Sequence, residues 1–240
     1  MQMNIFKKII PYRFKRRVKE HLGVPSFHWS LQNLKKKNFN PSFILDIGAY
    51  EGNWTKDVLE VFPTAKILMI EAQKNKEAFL AGIKKMHPNT DYAISLLSSQ
   101  DGLKKIFREN ETASQIIDIQ ETEHPHFTLK TQALDSLLQQ QKFPYPDFMK
   151  LDVQGHELEV LNGATKSLAH AEICLLEVSL LNLGDNNPLL AEMMSFMDVN
   201  HFQAYDISQF MRRPFDNTLY QLDLFFVKKD SALVASKRWA

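Results

Sequence analysis

The stretch Phe43-Ile44-Leu45-Asp46-Ile47-Gly48-Ala49-Tyr50-Glu51-Gly52-Asn53-Trp54 narrows the folds open to this chain more than any other. It reads as a buried strand that breaks into a glycine loop and then opens a helix. The apolar run Phe43 to Leu45 lies between Pro41 and Gly48, and Lys56 to Phe62 then sets Val58, Leu59 and Phe62 on one helical face. Glycine at such a junction lets backbone approach a ligand that a β-carbon would exclude. In open α/β sheets the junction lies at the carboxyl end of a strand, where ligands bind. Asp46 stands there with an acceptor-only side chain, suited to hydroxyls, amines or backbone N–H groups. An ordinary strand-to-helix turn has the same local pattern, so the rest of the chain must decide.

Two later stretches repeat the pattern. Lys66-Ile67-Leu68-Met69-Ile70-Glu71 is a buried strand ending in a carboxylate, one helix and one strand after Asp46. An acid at that spacing can accept both ribose hydroxyls of a nucleoside. Pro146 to Glu157 reads again as strand, polar glycine turn and helix, the helix carrying Leu158, Leu161 and Ala164. Asp152 ends its strand and is aimed into the same crevice as Asp46 and Glu71. His156 and Glu157 fall at the helix N-terminus, where the dipole favours Glu157 ionised and His156 neutral. A neutral imidazole is a candidate general base and a neighbouring carboxylate can orient it; a capping or surface histidine is the bland alternative.

Between and beyond these lie helices at Phe27 to Leu34, Lys74 to Met86, Leu134 to Gln141 and Leu189 to Met197, the last a methionine-rich core helix. Asp91 to Leu97 is expected as one strand. Short strands are expected at Leu103 to Phe107, Gln115 to Ile119 and Phe127 to Lys130, and longer ones at Glu172 to Val178, Phe202 to Ile207 and Leu219 to Val227. The loop Arg212 to Asn217 stands between the last two, where it can either cover an acceptor site or remain solvated.

Composition removes several classes of function. A net charge of +1 gives no overall electrostatic case for nucleic acid. One cysteine, Cys174, cannot form an internal disulfide and reads as a small buried hydrophobe, which points to a reducing, cytoplasmic setting. No stretch is long and apolar enough to span a bilayer. His124 and His126 flank a proline, but no convergent ligand set accompanies them, and no metal is expected. The first twenty residues are basic, with Lys7, Lys8, Arg13, Lys15, Arg16, Arg17 and Lys19 against Glu20. They suit either contact with an anionic membrane surface or a helical cap with solvated lysines, and Pro11 interrupts any single long helix.

The residues Asp46-Ile-Gly48-Ala-x-x-Gly52, Glu71, Lys150-Leu-Asp152-Val-Gln-Gly155-His-Glu157 and Val160-Leu161-x-Gly163-Ala164, with the ending Tyr220 to Val227, resemble FkbM-type S-adenosylmethionine-dependent methyltransferases. The resemblance runs from about Pro41 to Lys228. It implies a Rossmann-like class I methyltransferase fold, α/β, with a seven-stranded, mostly parallel sheet, a reversed last strand and helices on both faces. The expected organisation is a basic extension over residues 1–40, the methyltransferase domain over 41–230 and a tail over 231–240. The resemblance also implies S-adenosyl-L-methionine as cofactor, with Gly48 and Gly52 beside its methionine portion, Glu71 on the ribose, Asp152 near sulfonium and acceptor, and Asp46 and Asn53 completing the cofactor set. It implies O-methylation of a sugar, glycan or small natural product. The segment that usually reads Thr-Leu-Asp is Ala133-Leu134-Asp135 here, which leaves the cofactor block intact.

In the expected reaction Asp152 or His156 removes the hydroxyl proton and Glu157 orients the base. Two rivals share the crevice. A nicotinamide oxidoreductase wants Gly-x-Gly-x-x-Gly, and Gly48-x-x-x-Gly52 lacks the middle glycine. A non-catalytic nucleotide- or glycan-binding module would keep the fold alone, which the acids Asp46, Glu71 and Asp152 argue against. Oligomeric state is not legible.

Overall fold

A computed structural model describes residues 22, 24–108, 115–117, 126–183 and 187–239. The basic residues from Lys7 to Lys19 and His124 lie outside them. In chain order the elements are α1 (Phe27–Lys36), β1 (Phe43–Ile47), α2 (Asn53–Val61), β2 (Lys66–Glu71), α3 (Glu77–Met86), β3 (Thr90–Ile94), β4 (Leu96–Leu97), β5 (Lys104–Arg108), β6 (Gln115–Ile117), β7 (His126–Gln132), α4 (Leu134–Gln141), β8 (Phe148–Leu151), α5 (Glu157–Asn162), α6 (Thr165–His170), β9 (Ile173–Ser179), α7 (Leu190–Val199), β10 (Phe202–Arg212) and β11 (Leu219–Lys228).

The central runs of β1, β2, β8 and β9 are apolar almost without interruption because both of their faces are covered, as a parallel sheet with helices on each side requires. Seven strands pair in the order β10-β11-β9-β8-β1-β2-β3. All run parallel except β11, which enters by a hairpin from β10 and therefore lies antiparallel to both β10 and β9. The expected mostly parallel, seven-stranded sheet with its last strand reversed is the sheet observed.

Side-chain alternation divides the core. Phe43, Leu45 and Ile47 join Met149, Leu151, Leu176 and Phe226 against Leu134, Leu138, Val160, Leu161, Met193 and Met197 of the α4–α7 layer. Ile44, Phe148, Leu175 and Phe225 face the other way, against Leu31 and Leu34 of α1 and Val58 and Leu59 of α2. The methionines of α7 are core, as expected, and Cys174 is buried with burial pushing its thiol pKa up.

Two regions depart from the linear pattern. The expected single strand Asp91 to Leu97 is cut at Ser95, whose N–H donates to the Glu71 carbonyl at 2.9 Å. Thr90–Ile94 stays in the main sheet, whereas Leu96–Leu97 pairs with Thr131–Gln132 in a second, four-stranded sheet of order β4-β7-β5-β6. The helix expected through Leu158, Leu161 and Ala164 breaks into α5 and α6 at Gly163. A β-carbon there would stand 2.3 Å from the Ser98 carbonyl oxygen. Asp135 caps α6, accepting from the Lys166 N–H at 2.7 Å and the Ser167 N–H at 3.0 Å.

Both loop glycines have left-handed backbone, φ 73° at Gly48 and 68° at Gly52. A β-carbon on Gly48 would lie 1.9 Å from the Asp152 carbonyl oxygen, and one on Gly52 2.2 Å from Ile83 Cδ1. The space that glycine leaves is thus filled by protein: one loop needs it to meet the β8–α5 loop, the other to seat α2 on α3. Left-handed strain together with overpacking predicts that Gly48→Ala costs about 2–5 kcal/mol. The check is a fall in urea midpoint with an unchanged m-value.

Candidate active site

At the carboxyl edge the sheet face toward α1 and α2 changes from apolar to ionic, one alternation step beyond the core. Ile44 is followed by Asp46, Phe148 by Lys150 and Leu175 by Glu177, while on the reversed strand Asp223 precedes Phe225. Cross-strand register stacks these charges in two rows. Asp46 pairs with Lys150, and Lys150 with Leu175, in the lower row. In the upper row Glu177 pairs with Asp223 and Asp223 with Gln209, and Asp152 follows directly on β8.

Lys150 is the centre of the lower row. Its Nζ donates to the Gly48 carbonyl at 2.9 Å and lies 3.4 Å from the Ile47 carbonyl oxygen, 3.4 Å from Asp46 Oδ1 and 3.5 Å from Asp152 Oδ2. Burial alone would lower the pKa of the ammonium, but the Asp152 and Asp46 carboxylates outweigh it and hold the value above that of an ordinary lysine. Asp46 is fully enclosed. Its Oδ2 accepts from Thr55 Oγ1 at 2.7 Å, and its Oδ1 has the ammonium contact but no hydrogen bond of good geometry. The expectation that Asp46 faces the cofactor therefore needs correcting: it sits beneath the glycine loop and acts on it through Thr55 and Lys150.

Glu71 ends β2 with 5% exposure, accepting from the Tyr50 N–H at 2.8 Å and the Gln73 N–H at 2.9 Å. Two backbone donors aim the carboxylate and leave acceptor capacity on both oxygens, which fits a vicinal diol such as a ribose. Asn53 is exposed at the first position of α2, where N–H groups without intrahelical partners and the helix dipole suit a carboxylate.

A cavity of about 610 Å³ opens over the upper row. Asp152, Glu177 and Asp223 line it together with Lys150, and Phe27, Trp54 and Phe210 form apolar walls. The Asp152 side chain is 40% exposed and its Oδ1 accepts from Gln154 Nε2 at 2.8 Å. The same Gln154 nitrogen donates to Glu177 Oε2 at 3.0 Å. Burial, then the neighbouring Asp152, Glu157 and Asp223 carboxylates, push the Glu177 pKa up. Burial and Asp152 raise that of Asp223 to about 6. Neither Glu177 nor Asp223 was singled out as a site residue from sequence. Of the β10–β11 arm, Phe210 lines the cavity; Arg213 instead pairs with Asp216 in the turn.

His156 and Glu157 go elsewhere. His156 Nε2 lies 3.0 Å from the buried Ser98 Oγ, at the seam with the second sheet, and is not among the residues lining the cavity. Burial first, with the Lys105 charge, lowers its pKa to about 4 against the pull of Glu159, so it is neutral, as expected. Glu157 does not orient it. Its Oε1 accepts from the Val153 N–H at 3.0 Å and the Gly155 N–H at 3.2 Å, closing the β8–α5 loop on itself. Among the described residues no group of three or more His, Cys, Asp or Glu side chains is arranged to hold a metal ion.

The sequence profile of the FkbM methyltransferase domain matches residues 46–207. The chain belongs to the FkbM methyltransferase family. Within 51 residues this FkbM methyltransferase is 41% identical to the hexuronic acid methyltransferase AglP of Haloferax volcanii, a match covering 21% of each protein. The solved FkbM methyltransferase of Methylobacillus flagellatus shares the fold at a TM-score of 0.50 and 13% identity, over 77% of this chain and 43% of the other. Both matches cover less than half of the relative.

Burial raises the Glu157 pKa from 4.5 to about 7, despite its backbone hydrogen bonds. A carboxyl group raised in the folded state binds protons that the unfolded chain has lost, so its stabilising effect is complete below pH 4.5 and is lost as pH rises to about 7. The span corresponds to roughly 3 kcal/mol. Glu157→Gln is expected to flatten the fall in unfolding free energy across that window, measured by urea titration at a series of pH values.

Proposed function

We propose that this FkbM methyltransferase moves a methyl group from S-adenosylmethionine to a hydroxyl oxygen of a sugar or related polyol, with Asp152 as the base. S-adenosylmethionine, when bound, supplies a methyl group already activated on a sulfonium sulfur. Glu71 holds the ribose hydroxyls, and the first turn of α2 at Asn53 receives the methionine carboxylate. The observation that carries the reading is Asp152: a half-exposed carboxylate at the end of β8, on the wall of the cavity and fixed from behind by Gln154 and Lys150.

Asp152 takes the proton of the acceptor hydroxyl as that oxygen bonds to carbon, and the electron pair of the broken carbon–sulfur bond stays on sulfur. Lys150 sets a positive charge 3.5 Å from Asp152 Oδ2 and, through the Gly48 carbonyl, fixes the loop against it. Phe27 and Trp54 exclude water from one side of the reacting oxygen. The choice of Asp152 over His156 follows from access to the cavity. The sugar named for the haloarchaeal relative supports a sugar acceptor, and its carboxylate does not carry over to the acceptor used here.

Asp152→Asn is expected to lower methyl transfer about 100- to 10,000-fold while leaving cofactor affinity near normal. His156→Gln is expected to stay within a few-fold of wild type. Glu71→Ala is expected to weaken cofactor binding about 10- to 150-fold, read by calorimetry. Near-normal turnover of Asp152→Asn with labelled cofactor removes the base assignment, and a wild-type protein that binds no S-adenosylmethionine at millimolar concentration removes the reaction.

A further inference from the structure

Among the described residues, the cavity wall carries more acidic than basic side chains. Asp152, Glu177 and Asp223 stand on neighbouring strands at one level, with strand axes about 4.8 Å apart. His28 and Asp57, on the facing wall, add one basic and one acidic group. Lys150 is the lysine of this wall, and it is already shared among the Gly48 and Ile47 carbonyls, Asp46 and Asp152. In the layer beneath, the wholly buried Asp46 draws on the same ammonium, which lies 3.4 Å from its Oδ1. The remaining walls, Phe27, Trp54 and Phe210, are aromatic faces that suit the apolar side of a ring or an organic cation.

We propose that the acceptor is a polyol bearing a protonated amine, which lodges between Glu177 and Asp223 while a hydroxyl meets Asp152, and that acceptors bearing a carboxylate are excluded. The inference rests on methyl transfer at this cavity and adds the charge of the acceptor. The amine is a handle for recognition, and the methylated atom remains the hydroxyl oxygen. Placed there, an ammonium makes charge-assisted hydrogen bonds to two carboxylates that, among the described residues of the cavity wall, share Lys150 with Asp46 and Asp152. Burial first, and then the neighbouring carboxylates, raise the pKa of Asp223 and Glu177 against the pull of Lys150, and an ammonium between them opposes both causes. A carboxylate in the same position meets three acids at close range and loses its hydration without compensation.

The test is calorimetry of the whole protein near neutral pH with four methyl hexosides: the 2-amino, the 2-acetamido, the neutral and the uronic form. Each is titrated with and without S-adenosylhomocysteine. The amino hexoside is expected to bind about 10-fold or more tighter than the acetamido and neutral forms, with the uronic form weakest. Glu177→Gln and Asp223→Asn are each expected to erase that preference while S-adenosylhomocysteine affinity stays at the wild-type value, which also reports folding. Equal or tighter binding of the acetamido or uronic hexoside overturns the inference, as does no binding of the amino hexoside at millimolar concentration. Failure of S-adenosylhomocysteine to bind counts against methyl transfer instead, and the hexoside ranking then still decides the charge preference.

Discussion

One ammonium group holds the site together. Lys150 reaches from β8 to the end of β1, contacts Asp46 below and Asp152 above, and donates to the carbonyl of Gly48. These contacts fix the glycine loop, the floor of the crevice and the β8–α5 loop in one geometry. Breaking a buried pair by removing one partner costs about 3–5 kcal/mol, because the other charge is left without compensation. The same ammonium lies beneath Asp152, so the glycine loop and the carboxylate on the cavity wall are both held by one side chain.

Why ionic groups gather at this edge follows from burial. In the middle of a sheet covered on both faces a charge would have no water and no partner, and the strands there are apolar. Only where the strands end do loops supply carbonyls, N–H groups and a cavity open to solvent. Glu71 shows the result in miniature. It closes an apolar strand, and two backbone N–H groups beyond the strand orient it.

Much of this was legible in the residues alone. β1, β2, β8 and β9 each carry an apolar run that gives way to a charged residue only toward the carboxyl end, and α4 falls on the expected Leu134 to Gln141. Asp46, Glu71 and Asp152 were recognisable because each ends such a run at the carboxyl side. Glu177 and Asp223 were not, because their pairing depends on β11 lying beside β9, a long-range neighbourhood that local periodicity does not encode. The supposed partnership of His156 and Glu157 failed for a geometric reason. Successive residues on a helix point in different directions, so one reaches Ser98 and the other turns back on its own loop. The division of Asp91 to Leu97 between two sheets was hidden because an apolar run looks alike whichever sheet it joins.

The reversed hairpin has a consequence for how such an enzyme diversifies. Gln209, Phe210 and Asp223 belong to the arm formed by the end of β10 and by β11. The two sides of the crevice are therefore written in separate parts of the chain. Glu71, the glycine loop and Lys150 come from the first two-thirds, and one wall of the cavity comes from a two-stranded arm added last. Replacing that arm would change the outline and charge of the cavity while Glu71, the glycine loop and Lys150 stay in place.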